Sequence, residues 1–212
     1  MTRQRIAPVA LAVGIALVPA TVPAQAAAPV GPVTIIYFVR HAQVDPTEPT
    51  FPLNALGKTQ AEIFARTVRG VQFTHVFSSH TTRARQMVEP VARDRNLPIR
   101  QLPQPGSRLD TVTVSDRTTS RAAIAPLLGA LRELPAGSSA LVGVNSDNIY
   151  ALLNGMGVPV ATAAHPCTPG GTCVSCLTNA CFPGGEDQLW ILVAPPGSAP
   201  RLIELRYGVT ER

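Results

Sequence analysis

Five consecutive apolar residues, Ile35-Ile36-Tyr37-Phe38-Val39, run straight into Arg40, His41, Ala42 and Gln43. No polar residue interrupts the run to mark a solvent side, so it reads as a strand buried on both faces. A strand ending in a cationic Arg and a nucleophile-capable His delivers both to the carboxyl edge of a sheet, where open α/β folds place their ligands. An isolated Arg-His pair can equally do no more than cap a strand. The rest of the chain has to decide between the two.

The order of elements that follows is α/β. The segment from Val44 to Pro52 carries three prolines and two acids and reads as an irregular loop over the strand end. Leu53-Asn54-Ala55-Leu56-Gly57-Lys58-Thr59-Gln60-Ala61 then opens a helix to about Arg69, with Ile63, Phe64 and Val68 spaced to face a core. Gly70 stops it. Phe73 to Phe77 is a second strand, and Ser78-Ser79-His80-Thr81-Thr82 is its polar exit into a helix striped by Met87, Val88 and Val91. Arg83 lies in the first turn of that helix, where unpaired N–H groups and the dipole already favour an anion. A cation there runs against the dipole, which makes a waiting anion the better explanation for it.

Leu97 to Ser120 has weak patterning, with a short strand expected around Ile99 to Leu102. Ala122 to Leu134 reads as a helix, Ala140 to Val144 as a third buried strand, and Asn145-Ser146-Asp147-Asn148 as its polar exit into a helix ending at Gly155. Three strand-to-helix junctions therefore carry polar groups at one edge, which is the geometry of a binding cleft. Gln188 to Val193 and Arg201 to Tyr207 close the chain as two strands, read as a hairpin around Pro195-Pro196-Gly197. The expected architecture is a three-layer αβα sandwich with a mainly parallel central sheet.

A chain of 212 residues with 45% apolar content fits one domain with an ample core. The first 26 residues read differently. Arg3 and Arg5 precede an apolar run from Ile6 to Val18, and Ala24-Gln25-Ala26 offers a small-x-small cleavage site, the pattern of a secretory signal peptide. An uncleaved anchor is the alternative, but the run is short for a span and broken by Pro8, Gly14 and Pro19. The expected organisation is thus a signal peptide over 1–26 and one domain over 27–212, secreted or in the cell envelope, with no stable membrane insertion after cleavage. The net charge of +5 falls to +3 once Arg3 and Arg5 leave. The remaining arginines are scattered, Lys58 is the lone lysine, and no basic stripe interleaved with aromatics marks a nucleic-acid partner.

The ordered blocks resemble the histidine phosphatase superfamily, also called phosphoglycerate mutase-like. Arg40-His41 resembles its Arg-His signature after the first strand, and Leu53 to Ala61 its Leu-x-x-x-Gly-x-x-Gln-Ala block. Ser78-Ser79-His80-Thr81-Thr82-Arg83-Ala84-Arg85-Gln86 resembles the Ser-Ser-x-x-x-Arg-Ala-x-Gln block that supplies a second phosphate-binding Arg. The resemblance implies a histidine acid phosphatase-like phosphomonoesterase acting through phospho-His41, with Arg40 and Arg83 forked onto phosphate oxygens. It implies a small-molecule phosphomonoester or phosphate as ligand, and neither a metal nor another cofactor.

The departure is at Asn145. Family members place a second His after the strand matching Ala140 to Val144, whereas here Asn145 stands there. Asn can donate a hydrogen bond to phosphate but carries no charge. Losing one preorganised donor costs on the order of a hundredfold to a thousandfold, which keeps open a catalytically impaired member that binds a phosphorylated ligand or an envelope partner. His80 at the same edge and His165 in the later insert are candidates to reach the phosphate instead, against the commoner role of solvated loop histidines. Asp147 and Asp110 are the candidates to protonate the leaving group, with turn or cap roles as the alternative.

Cys167, Cys173, Cys176 and Cys181 all fall within a Pro- and Gly-rich insert, residues 163–186. An even number of cysteines in an exported chain reads as disulfides, with three pairings possible. A structural zinc site is the alternative.

Overall fold

The computed structural model describes residues 31–106, 117–158, 173–177, 180–183 and 187–208. Its centre is a six-stranded sheet flanked by two pairs of helices. In chain order the elements are β1 (Thr34–Arg40), α1 (Ala55–Thr67), β2 (His75–Ser78), α2 (Thr82–Asp94), β3 (Ile99–Gln101), α3 (Arg117–Arg132), β4 (Ser139–Val144) and α4 (Ser146–Gly155). A separate pair, β5 (Cys173–Leu177) and β6 (Ala180–Pro183), precedes β7 (Gln188–Ala194) and β8 (Arg201–Arg206).

The sheet order is β3-β2-β4-β1-β7-β8. The pairings β3 with β2, β2 with β4, and β4 with β1 are parallel, and β7 and β8 each run antiparallel to their neighbour. The mainly parallel αβα sandwich expected from the sequence is the fold observed. β1 and β4 occupy its middle, which explains their unbroken apolar runs. Ile36 and Phe38 pack with Val142, Val144, Trp190 and the inner faces of α3 and α4, while Val39 and Leu141 pack with Phe64, Met87 and Val88 on the α1 and α2 side. All of these are essentially inaccessible to water, and burying each large side chain contributes about 1.5–3 kcal/mol.

The helices begin where the sequence offers caps. Asn54 caps α1, its Oδ1 accepting from the Gly57 amide at 2.7 Å, and Thr81 caps α2. Arg95, just past α2, donates to the Val68, Arg69 and Val71 carbonyls and so fastens the end of α1 to the end of α2. Two features differ from the sequence expectation. α3 starts at Arg117, about one turn earlier than the apolar stripe begins, and the Cys-rich insert contains a short antiparallel ladder in β5 and β6. Cys176 and Cys181 stand opposite one another in that ladder, and Cys167 lies outside the described residues.

At Gly143 helix α2 approaches the sheet closely. A Cβ on this residue would collide with the Ala84 carbonyl oxygen and press on Val88 Cγ1 at 3.0 Å. Gly143 is therefore what lets the first turn of α2, with Arg83, lie flat on β4. Gly143→Ala is expected to lower stability by about 1–3 kcal/mol, the usual cost of forced overpacking, measured as a lower denaturant midpoint at unchanged slope.

Candidate active site

β4 lies between β1 and β2, and parallel pairing brings the carboxyl ends of all three side by side. Arg40 pairs with Val144 and Ser78 with Gly143 in the ladders. One residue further, the His41 amide donates to the Val144 carbonyl at 3.0 Å and the Ser79 amide to the Gly143 carbonyl at 2.8 Å. His41, Asn145 and Ser79 thus leave the sheet from neighbouring rungs of one edge. α2 begins three residues after Ser79 and brings Arg83 to the same edge.

The segment after His41 is clamped by α1. The Gln43 amide donates to Gln60 Oε1 at 3.2 Å, its carbonyl accepts from the Asn54 amide at 3.1 Å, and Gly57 has no Cβ to strike that carbonyl. Gln86 on α2 accepts from the Leu53 amide at 2.7 Å. Gly57, Gln60 and Gln86, read as parts of sequence blocks, thereby acquire physical roles: they fix the loop that carries His41 against the helix that carries Arg83.

His41 is 8% exposed, and its Nδ1 lies 2.8 Å from the Ala42 carbonyl. A carbonyl only accepts, so Nδ1 carries the hydrogen and the lone pair of the neutral ring is on Nε2. Burial, above all, pushes the imidazole down from 6.5 to about 3. The Ala42 contact pulls the other way, and the positive charges of Arg83 and Arg40 depress it further. The ring is therefore neutral over the physiological range. Arg83 is itself buried, Arg40 partly so, and the charge of each is felt at the ring.

Asn145 is 2% exposed and occupies the N-cap position of α4, yet its side chain makes no capping bond. Its Oδ1 instead accepts from Thr81 Oγ1 at 2.9 Å, across 64 residues of chain. The hydroxyls of Ser78 and Ser79 are buried nearby with no hydrogen-bond partner among the described residues. His80 is half-buried, and its carbonyl accepts from Gln101 Nε2. Asp147 is the second residue of α4, with its side chain outside the described part, and Asp110 and His165 lie outside the described residues altogether.

Two residues of this edge escaped the sequence reading. Thr81 was read only as polar exit. Asp187 immediately precedes β7, and because β7 runs antiparallel to β1 its start lies at the carboxyl end of β1. Its carboxylate is buried, with Oδ1 accepting from Arg206 Nη1 at 3.2 Å. An antiparallel closing hairpin beside β1 would have pointed to Asp187, but the pairing order is not written in local periodicity.

The site is thus a neutral, buried imidazole under the charge of two guanidinium groups, at the carboxyl edge of the parallel strands of an α/β domain. Residues 36–104 match the family described as histidine phosphatase superfamily (branch 1). No curated protein matches it at the sequence level. Among solved structures, it is similar to a candidate alpha-ribazole-5'-P phosphatase from Escherichia coli K-12, at 17% identity and TM-score 0.58, over 83% of this chain and 100% of the other. It is also similar to mycobacterial glucosyl-3-phosphoglycerate phosphatase, at 18% identity and TM-score 0.51, over 80% and 97%. A phosphoglycerate mutase from Bacillus anthracis str. Sterne aligns at 14% identity and TM-score 0.50, over 82% and 93%. At these identities the likeness is one of fold.

The His41 environment fixes a pH dependence. Its folded pKa, about 3, lies below the value near 6.5 that it takes when unfolded, so the unfolded chain binds more protons between those limits. The stability involved is present in full above about 6.5 and is lost as pH falls towards about 3. Between pH 7.5 and 4.5 this amounts to roughly 2.7 kcal/mol. Denaturant unfolding of His41→Gln beside the parent at both pH values should show that much less pH dependence in the variant.

Proposed function

We propose that this chain is an exported, metal-independent phosphatase that hydrolyses small phosphomonoesters through a phosphohistidine on His41. The observation that carries the reading is the fixed tautomer of His41. With the Nδ1 hydrogen held by the Ala42 carbonyl and the ring kept neutral, Nε2 presents a lone pair at the edge where Arg40 and Arg83 gather. In the first step Nε2 attacks phosphorus, the bond from phosphorus to the ester oxygen breaks, and the departing oxygen takes a proton from an acid. Asp147, two residues from Asn145, and Asp110 are the candidates for that acid. In the second step water attacks phosphorus, the phosphorus–nitrogen bond breaks, and inorganic phosphate leaves with His41 restored.

The two guanidinium groups supply the positive charge that the scheme needs. Each forks onto equatorial oxygens and holds the charge that persists through the transition state. Export rests on the pattern of residues 1–26 and disulfides on the four clustered cysteines, both read from the sequence. No described helix is long and apolar enough to cross a membrane. Among the described residues no three His, Cys, Asp or Glu side chains stand together as a metal site.

A second reading is favoured by Asn145. An edge that grips phosphate without a second His suits a protein that binds a phosphorylated ligand or envelope partner and turns it over slowly or not at all.

Phosphate release from p-nitrophenyl phosphate separates the two. The parent chain should hydrolyse it, His41→Ala should not, and Arg83→Ala should lose on the order of a hundredfold to a thousandfold. Acid-labile phosphate trapped on the parent and absent from His41→Ala would identify the intermediate. Binding of inorganic phosphate without hydrolysis would establish the second reading, and hydrolysis that survives His41→Ala would overturn the phosphohistidine route.

A further inference from the structure

The Asn145 side chain behaves unusually for its position. Asn is among the preferred N-cap residues because its oxygen satisfies the first free amides of a helix. At the start of α4 it forgoes that bond, and its oxygen is taken by Thr81 Oγ1 at 2.9 Å. Among the described residues no group bonds to Asn145 Nδ2.

The polarity of the Thr81 contact is set by a third group. Thr81 is the N-cap of α2, and its hydroxyl oxygen accepts from the Ala84 amide at 3.4 Å. With a backbone donor aimed at the oxygen, the hydroxyl hydrogen is free to be given away, and among the described residues Asn145 Oδ1 is the acceptor it meets. A reversed amide would leave that hydrogen without a protein acceptor among the described residues, whereas the observed one satisfies it. The cap of one helix therefore dictates which way the amide at the head of another helix turns.

We infer that Thr81 is a positioning residue that holds Asn145 with Nδ2, and not Oδ1, towards the phosphate. Asn145 then serves as a neutral donor where the resemblance led us to expect a His, and Thr81 is the reason it can. The inference rests on the reading of the edge as a phosphate site. Without Thr81 the amide is free to rotate, and a carbonyl-type oxygen facing a phosphate oxygen repels it. Because Thr81 also stands two residues before Arg83, one hydroxyl keeps the neutral donor and the charged one in register.

The test is a double-mutant cycle read by inorganic phosphate affinity and by kcat/KM for p-nitrophenyl phosphate. Thr81→Val keeps the shape and removes the hydroxyl, Thr81→Ser keeps the hydroxyl, and each is made in the parent and in Asn145→Ala. Thr81→Val should weaken phosphate binding about tenfold in the parent, and Thr81→Ser should stay within about twofold of it. In the Asn145→Ala background Thr81→Val should cost nothing further, because the group it positions is gone.

An equal loss in both backgrounds would show that Thr81 acts only by capping α2, and would overturn the inference. Unchanged affinity in Thr81→Val would overturn it as well. A parent chain that neither binds phosphate nor hydrolyses the ester would overturn the proposed function itself and this inference with it.

Discussion

The hydrogen bond from the His41 amide to the Val144 carbonyl is the last rung between β1 and β4, and the site depends on it. It fixes where β1 ends and sets His41 beside Asn145. On the other side of β4 the Ser79 amide does the same with the Gly143 carbonyl. Three strand ends, drawn from about a hundred residues of chain, are thereby held in line with no direct connection between them. Parallel strands are joined by long crossovers, so this alignment exists only when the sheet is complete. Local flexibility in any surrounding loop leaves it in place.

The same arrangement works against stability in one respect. A histidine deprived of water and placed in the field of Arg40 and Arg83 gives up its usual protonation range, which costs folding free energy at acidic pH. What it gains is a lone pair that needs no base to expose it. An anion placed beside Arg40 and Arg83 would relieve the field on the ring and stabilise the fold by mass action.

Much of this was legible in the sequence because single residues carried it. The run Ile35 to Val39 announced a central strand, since only a strand covered on both faces dispenses with polar residues. Arg40, His41, Arg83 and Asn145 were readable because each follows a strand or opens a helix. The strand order was not readable, and neither was what followed from it. Nothing near Thr81 signals an acceptor 64 residues away, and nothing near Asp187 signals that β7 lies against β1 in reverse. The β5 and β6 ladder escaped for a different reason, because Pro, Gly and Cys mask the alternation that marks a strand.

Gly143 has a wider consequence. The distance between α2 and the sheet is set there by a hydrogen atom in place of a methyl group, so the seat of the helix that carries Arg83 is gauged chiefly by contact with backbone. The loop from Val44 to Pro52 takes no part in that contact. A chain built this way can exchange that loop for another while the spacing of Arg83 from the sheet keeps its calibration.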